Sequence, residues 1–455
     1  MANSRNSTRA EAEHAVATAI SAALAAHVPP CSRVAVGLSG GMDSMVLLDA
    51  LVLCATSHSL RLSAIHVHHG ISSNADAWAS FCAEQCASRG VAFAEYRLDL
   101  EREGGQSLEA IARGARYRIL TAADADVVAL AHHADDQAET LLLQLLRGAG
   151  PRGVSAMPAY RDGRPALLRP LLGLPRSALT AYAKSRDLAW IEDESNADPR
   201  HKRNALRNEI SPRIAAHFAG YPTTLARAAA HQVEASILLD ELAASDAAPA
   251  LDEHGLERGL LARLSPPRAR NVLRWFLRRE GLRAPSEARL AEMLRQLGGA
   301  GARTRMTHDG ADIGCHRGRV IVHLPATDAF SRRWQGEAEV RLPGGVLAFA
   351  HSEGSGIAAA KLDGAIVTLR SRVGGERIRL ASNRPRRSVK KLLQDAKVSQ
   401  WQRLALPLVW CDDRLAAIPG IGVDLAFQAA DGEPSWRVCW RDLRWEVATD
   451  SGENA

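Results

Sequence analysis

Between Arg33 and Leu130 the chain alternates short β-branched apolar runs with longer stretches whose apolar residues recur every three to four positions. The runs at 33–38, 62–67, 91–98 and 127–131 read as strands, and those at 42–53, 76–88 and 107–122 as helices. Repeated strand–helix units predict a parallel sheet with helices on both faces, whose ligands sit beyond the carboxyl ends of the strands. From about 218 the pattern turns to Ala/Leu/Arg-rich helices without strand signals as far as 298, and 299–324 reads as short strands and turns. The last segment mixes turn-rich and β-branched stretches. The predicted organisation is therefore an α/β catalytic domain over 1–217, a mainly helical domain over 218–335 and a small α+β domain over 342–447.

Composition narrows the class without naming a function. A chain of 455 residues exceeds what one hydrophobic core supports, and 46% apolar with 24% charged residues is ordinary for a globular protein. No apolar stretch approaches the roughly 18–20 residues of a membrane span, so no membrane association is expected. Near the N-terminus, Glu11, Glu13 and His14 interrupt an Ala-rich segment that would otherwise resemble a secretory core. Seven scattered cysteines lack framework spacing, which predicts a reducing compartment and a cytoplasmic protein. The formal charge of +6 is compatible with a polyanionic partner.

The first strand runs straight into Ser39, Gly40, Gly41, Met42, Asp43 and Ser44, and an apolar helix follows at once. Glycines let backbone N–H groups approach phosphate oxygens, serine hydroxyls donate to them, and a helix N-terminus favours anions. Asp43 would repel phosphate unless a divalent cation lay between, which predicts Mg²⁺. No lysine follows the glycines, so the loop is not a Walker A sequence, and its glycine spacing is not that of a dinucleotide fold. The segment resembles the pyrophosphate-binding loop of the N-type ATP pyrophosphatases, which implies cleavage of ATP between its α and β phosphates and transfer of AMP.

Directly after the fourth strand stand His132, His133, Asp135, Asp136 and Glu139. Glu139 lies three residues from Asp136 and four from Asp135, on the same helical face as both. Such a cluster holds a cation or caps a solvated helix. Its order and spacing resemble the tRNA(Ile)-lysidine synthases, as do His66–Gly70, the helix containing Glu109, Arg113, Arg116 and Tyr117, and the segment Asp193, Glu194, Ser195, Asn196 with Arg203, Asn204 and Arg207. Gly114 departs from that helix pattern, where a stronger helix former is usual. The stretches from Lys390 to Val398 and Ile418 to Val423 also resemble the C-terminal domain of that family.

The resemblance implies that ATP adenylates O2 of the wobble cytidine in a CAU-anticodon isoleucine tRNA, and that the ε-amine of free L-lysine displaces AMP. It implies ATP contacts from Ser39, Gly40, Gly41, Met42, Asp43, Ser44, His66 and Arg113, metal binding by Asp43 and Asp136, and catalytic roles for Asp43, His133, Asp136, Glu139 and Arg203. Asp136 and Glu139 are assigned to metal and lysine ammonium, and His133 to accepting a proton. For tRNA phosphates the candidates are Arg207, Arg384, Arg386, Arg387, Lys390 and Lys391, with Trp401 either stacking on RNA or packed in a core. A homodimer stays open. The rival readings are a tRNA thiolase using Cys82 and Cys86 as sulfur carriers, and a non-catalytic RNA-binding protein.

Overall fold

Near-continuous apolar runs form a sheet buried on both faces. The computed structural model describes residues 2–70, 72, 74–98, 108–192, 202–252, 255–299, 305–323, 329–398 and 400–442. Strands β1 (Arg33–Gly37), β2 (Arg61–His68), β3 (Ala92–Arg97), β4 (Val127–Ala129), β5 (Tyr160–Arg161) and β6 (Ala166–Leu168) pair in the order β3-β2-β1-β4-β6-β5. All neighbours are parallel except the edge pair β5–β6. Before the sheet comes α1 (Ala2–His27), and α2 (Met42–Ala55), α3 (Ala75–Ala87) and α4 (Leu108–Thr121) are its crossovers. After β4 come α5 (Ala134–Leu146) and a one-turn α6 (Pro151–Val154), and α7 (Arg176–Ser185) follows β6.

Side-chain alternation divides the core into two layers. Val34 and Val36 of β1 pack with Met45, Leu48 and Leu51 of α2, Val16, Ile20 and Leu24 of α1, and Leu179 of α7. The opposite parity, Ala35, Val128 and Leu167, meets Leu120 and Tyr117 of α4. The four-residue spacing of Val16, Ile20 and Leu24 is the buried stripe of a helix. Because successive connections leave β1 for β2 on one side and for β4 on the other, the crevice between β1 and β4 is the topological switch point of the sheet. The glycine loop and the acidic cluster therefore open side by side.

The described residues divide into two compact units, 1–238 and 239–449. The first ends with α8 (Lys202–Ala205), a π-turn at Leu206–Ile210, α9 (Ser211–His217) and most of α10 (Tyr221–Ala247). In the second, α11 (Arg258–Arg263), α12 (Pro266–Arg279) and α13 (Glu287–Gly298) back a sheet of β7 (Leu251–Asp252), β8 (Gly255–Glu257), β9 (Arg305–His308), β10 (Ala311–His316) and β11 (Arg319–His323) in the order β7-β8-β11-β10-β9. This corrects the expectation that 218–298 holds no strand. Strands of two and three residues are too short for a period of two to register.

Residues 329–442 carry a five-stranded and a four-stranded sheet, the latter built on a nine-residue antiparallel pairing from Gly345↔Asp442 to Glu353↔Pro434. Trp401, on the short helix Gln400–Ala405, stacks on His323 of β11 with ring centres 4.5 Å apart and planes 6° from parallel. It meets His316 of β10 edge-on at 5.6 Å. Gly314 supplies the flat seat, since a Cβ there would lie 3.2 Å from the Trp401 ring. Of its two expected settings, Trp401 takes the packed one. Among the described residues no helix is long and apolar enough to cross a membrane.

Candidate active site

The glycine loop is held by its own serines. Ser39 Oγ donates to Ser44 Oγ at 3.1 Å, the Ser39 amide donates to the same oxygen at 3.3 Å, and Ser44 Oγ donates to the Gly41 carbonyl at 2.9 Å. Gly40 has φ of +84°, and a Cβ there would come within 2.7 Å of Ile191 Cδ1 and 3.1 Å of Cys82 Sγ. Only glycine fits that position. Gly41 is the N-cap of α2 and no side chain caps it, so the first amides of that helix are available to an anion. Met42 is buried and takes a contact from Thr180 Oγ1 at 3.6 Å, so it contributes to the loop through its backbone.

Asp43 stands on the first turn of α2, facing the end of β4. Its Oδ2 is 3.6 Å from His133 Nε2, while its buried Oδ1 accepts no hydrogen bond and has Arg176 Nε at 3.8 Å. The same His133 Nε2 is 3.3 Å from Asp136 Oδ2, and Nδ1 is 3.6 Å from Asp135 Oδ2. Burial alone would lower the pKa of His133, but Asp135, Asp43 and Asp136 outweigh it and push it up to about 10. The Asp136 amide donates to Nδ1 at 3.4 Å, which leaves Nε2 to face Asp43 and Asp136. The three carboxylates thus favour the charged form of the His133 ring. Asp136, where burial raises and His133 and Arg203 lower, is drawn down to about 2. Its side chain also accepts from the His133 amide, completing a capping box, so the capping and site readings of this residue both hold.

Arg203 of α8 and Arg207 of the π-turn reach back onto the same acids. Arg203 Nε donates to Glu139 at 2.8 Å and its Nη2 to Asp136 at 3.1 Å, while Arg207 donates to Glu139 at 2.6 and 2.9 Å and to Asp136 at 2.9 Å. Glu139 is 3% exposed, and both of its oxygens are occupied. Arg207, expected on a tRNA phosphate, is instead paired with these carboxylates, because a cation beside two buried acids gains more there than in water. Asp135 accepts from the Arg176 amide at 2.8 Å and so anchors the start of α7. Asp193, Glu194, Ser195 and Asn196 lie outside the described residues, as does the Glu109 side chain.

His66 is buried at the end of β2 with Nδ1 2.9 Å from the Leu38 carbonyl, and burial holds its pKa below the usual value. Arg113 lies half-buried on α4. Cys82 and Cys86 are fully buried on α3, and burial pushes their thiols up to about 12 and about 11. Inert thiols of this kind do not carry sulfur. In the C-terminal region, Arg384, Arg386, Lys390 and Lys391 are exposed, whereas Arg387 is half-buried and paired with Asp395. Sequence reasoning gave no role to Arg176, Arg169, Arg116, Tyr117 or His132. Nothing in local spacing marks Arg169 or Arg176, which reach the site from the far side of β4.

The residues present fit Mg²⁺. Asp43 and Asp136 converge on one point, and Asp43 Oδ1 lacks a donor. Among the described residues no three His, Cys, Asp or Glu side chains form a complete cage, as suits an ion held by one or two carboxylates and by phosphate oxygens.

Residues 12–214 match the PP-loop domain family, 256–321 the TilS substrate binding domain and 367–440 the TilS substrate C-terminal domain. A tRNA(Ile)-lysidine synthase of Nitrosomonas europaea is 45% identical over 430 residues, covering 92% of this chain and 93% of the relative. Another, from Azoarcus sp., is 43% identical over 427 residues, covering 90% and 93%. Among solved structures, a U34-tRNA thiolase of Methanococcus maripaludis superposes with a TM-score of 0.44 at 17% identity, over 50% of this chain and 80% of that one. An isolated TilS C-terminal domain gives a TM-score of 0.22 at 18% identity, over 26% and 98%.

Proposed function

The chain belongs to the tRNA(Ile)-lysidine synthase family of PP-loop ligases, and on that premise we propose that it joins free lysine to C2 of the wobble cytidine in a CAU-anticodon isoleucine tRNA. ATP adenylates O2 of the cytidine with release of pyrophosphate, and the lysine ε-amine then displaces AMP. The observation that carries this reading is the convergence of Asp43 and Asp136 on His133, at the switch point where the uncapped start of α2 meets the start of α5. That arrangement supplies an anion site and a cation site in one crevice.

Ser39, Gly40, Gly41, Met42, Asp43 and Ser44 receive the polyphosphate, with His66 and Arg113 completing the nucleotide site. Mg²⁺ held by Asp43 and Asp136 would neutralise charge on the departing pyrophosphate. His133 lies between the two carboxylates, within 3.6 Å of both. Glu139, with Asp136, binds lysine ammonium, and Arg203 and Arg207 hold both acids ionised and oriented. A lysine amine must lose a proton to attack. We assign that proton to His133, the imidazole that stands between Asp43 and Asp136 at the end of β4.

Residues 1–217 act as the catalytic domain, 218–335 as a substrate-binding domain and 342–447 as a tRNA-binding domain. Arg384, Arg386, Lys390 and Lys391 are exposed cations suited to phosphates. The reading implies a cytoplasmic enzyme. Incubation with ATP, labelled lysine and an unmodified CAU-anticodon transcript tests it: label in the tRNA with AMP and pyrophosphate as products supports the reading, and ADP with phosphate refutes it.

A further inference from the structure

At the carboxyl end of β6 lies a cation that the reaction as proposed does not use. Arg169 continues the side-chain parity of Leu167, the face covered by α4, and is only 4% exposed. Its Nη1 donates to the Pro158 carbonyl at 2.8 Å and its Nη2 to the Tyr117 hydroxyl at 3.1 Å. Its Nε is buried and donates to nothing. Arg116, beside Tyr117 on α4, lies close enough to Asp136 and Arg203 to interact electrostatically, and burial pulls its pKa below the usual value. Among the described residues no ion pair joins Arg116 or Arg169 to a carboxylate. Asp136 is already shared by Arg203, Arg207 and His133.

A buried guanidinium without a counter-ion, as at Arg169, with the half-buried Arg116 beside its Tyr117 partner, is costly, and a fold retains such a group where an anion is to be bound. Burial would raise the pKa of Tyr117, yet Arg169, Arg113 and Arg116 outweigh it and hold the hydroxyl below its usual value, which makes it a strong donor. We infer that Arg169, Arg116 and Tyr117 form a subsite for the carboxylate of the free amino-acid substrate, separate from the glycine loop. This inference rests on the ligase reading above.

Three features favour a carboxylate over a phosphate. The strand order puts β6 two strands from β1, about 10 Å from the loop that takes the polyphosphate. A phosphodiester on a tRNA cannot approach a side chain so deeply buried. The edge of a guanidinium formed by Nε and Nη2 is the fork that a carboxylate engages side-on. A carboxylate arriving there takes the free Nε and displaces the Tyr117 hydroxyl from Nη2, which then donates to the newcomer. Asp136 and Glu139 stand at the adjoining strand end, so one zwitterion would bridge cation and acid clusters.

The test compares L-lysine with 1,5-diaminopentane, which keeps the amines and lacks the carboxylate, in the parent, Arg169→Met and Tyr117→Phe. The parent should prefer lysine, and Arg169→Met should lower kcat/KM for lysine about 100-fold through KM while leaving the diamine unchanged. Tyr117→Phe should lose about 5- to 10-fold with lysine alone. Pyrophosphate release from ATP and tRNA without lysine should match the parent in both variants. Equal losses for lysine and diamine would overturn the subsite in favour of a structural role, and loss of pyrophosphate release in the variants would overturn it in favour of a phosphate. Should Arg169→Met fail to fold, Tyr117→Phe decides, since an unchanged preference for lysine there overturns the subsite. A parent that releases no pyrophosphate refutes the ligase reading instead.

Discussion

His132 and His133 are joined by one peptide bond and held in opposite charge states. Burial beside Arg169, Arg116 and Arg203 drops His132 to about 3, while three carboxylates lift His133 to about 10. The unfolded chain would titrate both near 6.5. For His132 the folded pKa is depressed, so its contribution to stability is present above about 6.5 and is lost as pH falls toward 3. For His133 it is raised, so its contribution is complete below about 6.5 and is lost as pH rises through 10. NMR of the metal-free protein should show one imidazole neutral down to pH 5 and another charged up to pH 9. Two rings titrating together near 6.5 would remove both assignments.

Asp43 is one-third exposed, and its contacts are electrostatic rather than packed. Asp43→Ala should therefore abolish AMP formation while leaving Tm within about a degree of the parent. Normal pyrophosphate release by a folded variant would show that the carboxylate is dispensable.

Glu139 accepts from two arginines at once. Glu139→Gln keeps the shape and removes the charge, leaving those guanidiniums under-compensated, and should destabilise the protein by about 3 kcal/mol in urea titrations. It should also raise the lysine requirement more than the ATP requirement. Equal changes in both apparent constants would argue that Glu139 serves only the ion-pair network.

Gly114 is exposed in the middle of α4, and a Cβ there would meet nothing within 4 Å. Gly114→Ala should therefore stabilise the protein by about 0.5–1 kcal/mol through helix propensity alone. A lower Tm would mean that the helix bends or moves at this point.

The exposed cations of the C-terminal region give a salt test. Arg386→Ala with Lys390→Ala should flatten the log-affinity against log-salt line for tRNA by about 2 units, with ATP binding unchanged. Arg387→Ala should do less, because its guanidinium already faces Asp395. Superimposable lines for the double variant and the parent would show that this surface does not hold tRNA.

Much of the catalytic half was legible in the sequence because its information is local. Apolar runs and helical periods place β1–β4 and α2–α4 within a residue or two, and the loop from Ser39 to Ser44 follows its strand directly. The acid cluster was legible as a cluster, but not its partners. Arg203 and Arg207 lie more than sixty residues from Glu139, and no local spacing records which charge a long side chain will reach. The strands β5–β8 were too short to show a period. Trp401 was ambiguous because stacking on a base and stacking on His323 ask the same chemistry of an indole.

The seat that Gly314 provides for Trp401 has a mechanical meaning. Helix Gln400–Ala405 begins five residues after the end of the helix that carries Lys390 and Lys391, so the indole fixes those cations against β10 and β11. The packing therefore couples the sheet that carries His316 and His323 to the segment that carries Lys390 and Lys391, so that neither shifts without disturbing the other.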